Sequence, residues 1–198
     1  MKYPYLRILV FVFLTTTLWE CSSDTEETVE EIAEEVEEPQ LPSCVDYESV
    51  DPDDLQTYWN LFVEDVKCTR GGPDYGVLNE QVLVRFVVQT PEQMASGVTP
   101  DHAGFSTFLG YCNNSVVDIS VIRDYWEDYS EIQKLWLIYH EFGHDVYRYE
   151  HSSDPADIMW PAVPRSDVKI NDFIAAKNRF FKRDFEGVSY IQCPSTTD

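Results

Sequence analysis

His140, Glu141 and His144 are spaced as H-E-x-x-H. Side chains four apart on a helix share one face, so the two imidazoles could offer two nitrogens to one metal ion. Glu141, one step round, could reach a water on that ion and take its proton, which is the arrangement zinc hydrolysis needs. The stretch continues through His151, Asp154-Pro155, Asp157, Met159 and Pro161. A nitrogen from His151 would complete a three-histidine set with one position left for water. A straight helix would not bring it there. The seven-residue step from His144 to His151 covers about 10 Å of helix axis, whereas zinc–nitrogen bonds are about 2 Å. The helix must therefore break between Asp145 and Glu150, and the chain must double back. Glu150, Asp154 and Asp157 are the other groups that could take the third place. The fourth histidine, His102, lies in a stretch that reads as surface loop and receives no role.

Such a pair needs a rigid helix beneath it. Ser130 is a credible N-cap and Glu131 a first-turn acid, opening a helix that runs to about Tyr147 with Leu135, Ile138, Phe142 and Val146 on its apolar side. A strand, Val116 to Ile122, precedes it. Further upstream, Asp51-Pro52-Asp53-Asp54 reads as a helix start with acids in the first turn. Leu55, Trp59, Phe62 and Val66 then recur at helical spacing, and Gly71-Gly72-Pro73 stops the run. Gln81 to Thr90 is rich in β-branched residues and predicts a strand, ended by Pro91 and followed by a loop over 91–102. Ala103 to Tyr111 predicts another strand at a sheet edge, and Asn113-Asn114 a turn. Ile170, Phe173, Ile174, Lys177, Phe180 and Phe181 mark a closing helix of about residues 167–184, ended by Gly187. Trp126, Trp136 and Trp160 read as core. The order is helix, three strands, motif helix, turn, helix: an α+β class with a small sheet packed on helices.

Composition narrows the partners. The chain has 198 residues and a formal net charge of −22. Nucleic acid is excluded as a partner, because its phosphates demand clustered Lys and Arg. Lys2 and Arg7 precede an apolar run, Ile8 to Leu18, of signal-peptide length and too short to span a bilayer. Residues 1–21 therefore read as an export signal. Cys21, directly after it and followed by Ser-Ser-Asp, resembles the lipidated cysteine of bacterial lipoproteins, although Trp19 and Glu20 depart from the small residues usual before that cysteine. A plain secretory signal is the alternative. Residues 22–43 read as an acidic, extended linker with no base, and 44–198 as the folded domain. The implied location is the outer membrane or cell surface of a bacterium, through a lipid anchor, or else a secreted or periplasmic soluble form. Cys44, Cys68, Cys112 and Cys193 are an even set in an exported chain, hence two disulfides. Three pairings are possible and the sequence does not choose among them; Cys44–Cys68 with Cys112–Cys193 is preferred because the first pair flanks one helix and the second would restrain the tail.

The run HEFGHDVYRYEHSSDPADIMWP, residues 140–161, resembles the zinc signature of the metzincin metallopeptidases, especially the matrixin form. His151-Ser152, Asp154-Pro155 and Met159-x-Pro161 look like that group's third ligand leading into its Met-turn, at the same spacing of eight from histidine to methionine. The resemblance implies a metzincin-like fold and one catalytic Zn2+ held by His140, His144 and His151. It also implies Glu141 as general base and Met159 as a hydrophobic floor beneath the metal. This chain departs in two places. The usual gap from second to third histidine is six, with a glycine midway; here it is seven, and Tyr147 stands where the glycine would. A long-gap form of this kind is found among uncharacterised metallopeptidase-like bacterial lipoproteins, which the chain also resembles. The expected function is a monomeric zinc metalloendopeptidase acting on peptides or proteins, with the strand near residues 104–110 pairing with substrate backbone. The alternatives are a non-catalytic zinc-binding surface lipoprotein and a zinc hydrolase of a non-peptide amide.

Overall fold

A computed structural model describes residues 40–70, 81–91, 103–106, 112–113, 115–182 and 187–193. The residues read as an export signal, Cys21, most of the expected linker, Gly71-Gly72-Pro73 and His102 lie outside the described residues. Those described belong to one compact unit, Pro39–Asp198.

Helix α1 spans Leu55–Arg70. Its start corrects the expected one. No acid lies in its first turn; the acids precede it, and the Asp54 carboxylate accepts the Gln56 N–H at 3.0 Å. Asp51 and Asp53 form the turn before, where Asp51 Oδ1 accepts from Asp53 N. A carboxylate just ahead of the helix satisfies a donor that has no intrahelical partner. Leu55, Trp59, Phe62 and Val66 are buried, as their spacing predicted.

Three strands follow among the described residues. β1 is Gln81–Val87, β2 Gly104–Ser106 and β3 Val116–Ile122. β1 ends three residues earlier than expected, and of the second predicted strand only Gly104–Ser106 is strand among the described residues. The sheet order is β1-β3-β2. β1 runs parallel to β3, with Gln81 opposite Val116 and Val87 opposite Ile122. β2 runs antiparallel to β3, with Gly104 opposite Val121, and lies at the sheet edge. The apolar residues of VVDISVI explain its central place: Val117, Ile119, Val121 and Ile122 are buried, as a strand covered on both faces requires.

A short helix α2, Arg123–Glu127, was not anticipated; it continues directly from β3 and buries Trp126. Helix α3, Glu131–Tyr147, carries the motif. Ser130 caps it in a full capping box: Gln133 N donates to Ser130 Oγ and Ser130 N to Gln133 Oε1. All but four of its 17 residues are buried, so it is a core helix rather than the one-faced helix its apolar stripe suggested. Helix α4, Ile170–Phe180, closes the fold and is shorter than expected at both ends.

The aromatic core locks these helices together. Phe62 of α1 packs on Phe142 and Tyr139 of α3 at ring-centroid distances of 4.7 and 5.2 Å, and on Phe181 just after α4 at 5.6 Å. Fully burying each such ring is worth about 1.5–3 kcal/mol. Trp126 and Trp136 are core as expected, whereas Trp160 is only half-buried.

One polar group lies at the centre of this apolar mass. Asp65 of α1 is fully buried and accepts from Lys177 Nζ at 2.8 Å. It also accepts from Tyr47 and Tyr139 hydroxyls at 3.0 Å each, and from Thr69 Oγ1. Lys177, read from its spacing as part of the apolar stripe of α4, is instead one half of a buried ion pair. The carboxylate is saturated with donors, which is the condition for tolerating a charge away from water.

The disulfides are Cys44–Cys68 and Cys112–Cys193, with Cα separations of 6.3 and 5.5 Å, inside the usual range. The preferred pairing is the observed one. Two disulfides suit an exported protein. Among the described residues no helix is long and apolar enough to cross a membrane.

Candidate metal centre

His140 and His144 occupy successive turns of α3. Both rings are oriented from behind by backbone carbonyls: His140 Nδ1 lies 2.8 Å from Ile158 O, and His144 Nδ1 lies 2.6 Å from Tyr149 O. A carbonyl can only accept, so each Nδ1 carries the hydrogen and each Nε2 presents a bare lone pair. Those lone pairs converge. His144 Nε2 is 3.0 Å from His140 Nε2 and 3.2 Å from His151 Nε2. With hydrogens committed at both Nδ1 atoms, nothing bridges the first pair unless a ring becomes imidazolium. Burial opposes that. It pushes His140 down to about 3, aided by repulsion from His144, and pushes His144 down to about 4. Three imidazole Nε2 atoms brought this close make a set that can hold a metal ion. Two nitrogens about 2.0–2.1 Å from one zinc ion in tetrahedral geometry lie about 3.3–3.4 Å apart, close to the separations here. The ligand atoms of all three lie within 4.8 Å of one another.

The expected doubling-back is present. α3 ends at Tyr147, and Arg148 adopts a left-handed conformation with φ 58° and ψ 32°. The N–H groups of Arg148 and Tyr149 both turn back to Gly143 O. Left-handed backbone is ordinarily glycine's. Here the reversal falls at an arginine, four residues after His144. His151 then joins the cluster.

The competing acids are engaged elsewhere. Glu150 Oε2 accepts from Ser189 Oγ at 2.7 Å. Asp154 holds its own turn by accepting from Ala156 N. Asp157 is buried and accepts from Ser152 Oγ at 2.8 Å and from Arg179 Nε at 3.0 Å. Arg179 also donates to Ala156 O. The loop from Ser152 to Met159 is thereby closed on itself, with Ser152 N donating to Met159 O at 2.8 Å, and pinned to α4.

Met159 is buried under α3, against Gly143. A Cβ at position 143 would overlap the Met159 sulfur and come 2.8 Å from the Phe180 ring. Glu141 is buried and its carboxylate abuts Gly104 of β2, where a Cβ would lie 2.8 Å from Oε1. Sequence reasoning missed Gly143, Gly104, Arg148 and the Ser152–Asp157–Arg179 chain. A glycine inside a helix, which costs about 1 kcal/mol relative to alanine, was the available sign of close approach at 143. The arrangement can hold one metal ion, and the Glu141 carboxylate abuts the edge strand β2.

Comparison with protein-family models, curated proteins and solved structures finds no match to this chain.

Proposed function

We propose that the chain is a zinc-dependent endopeptidase of metzincin type. The observation that carries this reading is the convergence of three imidazole Nε2 atoms, with Nδ1 of His140 and His144 held by carbonyls, beside a buried glutamate next to an edge strand. His140, His144 and His151 would hold the ion. Zinc, when bound, supplies Lewis acidity, acidifying water and polarising a carbonyl oxygen. Glu141 takes the proton from the attacking water and returns it to the leaving amine. β2 offers its outer edge to an extended peptide, so that main-chain pairing aligns the scissile bond beside Glu141. Met159, packed on Gly143, would form an apolar floor to the site. Cys21, as a lipid-modified residue, would tether the domain to a bacterial outer membrane.

The test uses the full chain and a mixed peptide library, with and without a chelator. The parent should cleave only when metal-loaded. Glu141→Ala should retain zinc and lose hydrolysis, whereas His144→Ala should lose zinc. An uncut library beside full zinc occupancy would turn the reading to a binding module or a hydrolase of another amide.

A further inference from the structure

The seven-residue step between the second and third histidines has no glycine at its turn. Arg148 takes the left-handed conformation, which crowds its Cβ against the following carbonyl, and such a conformation persists only where surrounding structure enforces it. The structure supplies the enforcement from a distant segment. Ile191 N donates to Arg148 O at 2.7 Å, and Glu150 N donates to Ser189 O at 2.9 Å. Tyr149 and Tyr190 form an antiparallel bridge between them, and Ser189 Oγ donates to Glu150 Oε2. Residues 189–191 thus lie along residues 148–150 as a strap. What they hold matters to the site on both sides: Tyr149 O accepts from His144 Nδ1, and His151 follows Glu150 directly. The strap is itself fastened two residues on, where Cys193 is bonded to Cys112, four residues before the central strand β3.

We propose that Ser189, Tyr190 and Ile191, anchored by the Cys112–Cys193 disulfide, are positioning residues for the metal centre: they fix the turn that aims His144 and delivers His151. The inference rests on the metal-site reading above. It separates the two disulfides by role. Cys44–Cys68 ties residue 44 to the last turn of α1, remote in sequence from the ligands; Cys112–Cys193 holds the ligand-bearing turn in register. Reduction of the second should therefore loosen the metal while leaving most of the core in place.

The experiment measures zinc affinity of the oxidised full chain by competition with a chromogenic chelator, together with the visible absorption of the cobalt-loaded protein, which reports ligand geometry. Replacing Cys112 and Cys193 by serine should weaken zinc binding about 10–100-fold, the range for groups that orient metal ligands, and should alter the cobalt spectrum. Replacing Cys44 and Cys68 by serine should leave both within about twofold of the parent at a temperature where circular dichroism shows the fold intact. Where the first variant fails to fold, Ile191→Pro decides: it deletes the N–H that bonds Arg148 O and keeps the disulfide, and it should weaken zinc several-fold. Parent-like zinc affinity and cobalt spectrum in a folded Cys112→Ser/Cys193→Ser protein, or in Ile191→Pro when that variant decides, overturn the strap. A parent chain that binds no zinc overturns the metal-site reading itself, and the strap with it.

Discussion

Gly143 lies so close to Met159 that the helix has no room there for even one methyl group. The contact joins the two parts of the site that are far apart in kind: the rigid helix bearing His140 and His144, and the loop that starts at His151. Gly143→Ala should therefore destabilise the fold by about 1–3 kcal/mol through overpacking, despite alanine's better helix propensity. Urea denaturation would register it as a lowered midpoint. Shortening the partner, in Gly143→Ala with Met159→Val, should recover part of the loss, and strictly additive effects would show that the two side chains do not meet.

The turn at Arg148 makes a contrasting pair of substitutions informative. Glycine there relieves the left-handed strain but frees the unfolded chain, so Arg148→Gly should change stability by about 1 kcal/mol or less. Arg148→Val places a β-branched residue at φ 58° and should cost about 2 kcal/mol or more. Thermal unfolding separates the two, and equal melting temperatures would contradict the observed conformation.

Acid should destabilise the metal-free protein. His140 and His144 are lowered, chiefly by burial, to about 3 and about 4. Their unfolded values are near the ordinary 6.5, so between that value and about 4 the unfolded chain binds more protons than the folded one. Stability is therefore undiminished by these groups above about pH 6.5 and falls as pH drops through the window. Urea midpoints of metal-free protein at pH 7 and pH 5 measure it. His140→Gln should shrink the difference, and an unchanged difference would assign the effect to other groups.

Lys177→Met would leave the Asp65 carboxylate buried without its cation. Loss of one partner from a buried pair costs about 3–5 kcal/mol, and the two tyrosine hydroxyls on Asp65 can offset only part of that. The double variant Asp65→Asn/Lys177→Met should be more stable than Lys177→Met alone. The reverse order, read from denaturation curves, would show that the carboxylate does not need the lysine.

What could be read from the sequence follows from range. His140, Glu141, His144 and the buried positions of α1 were legible because a helix encodes its faces at fixed short intervals. Ser130 was legible because a cap acts within one turn. The third histidine was harder, because His151 reaches the cluster only through a reversal whose hinge, Arg148, has no glycine signature. Asp65 and Lys177 are separated by 112 residues, and no local rule marks a lysine at an apolar spacing as one half of an ion pair. Arg179 and Asp157 are hidden for the same reason, and α2 because five residues carry too few turns to set a period. The histidine spacing pointed to the cluster; the hydrogen bonds that hold it in shape run between residues far apart in the chain.

The three imidazoles are graded in exposure: His140 is buried, His144 intermediate and His151 open to solvent. An ion held by all three would therefore meet solvent first on the His151 side, and a chelator would reach it there before it reached the two helix-borne nitrogens.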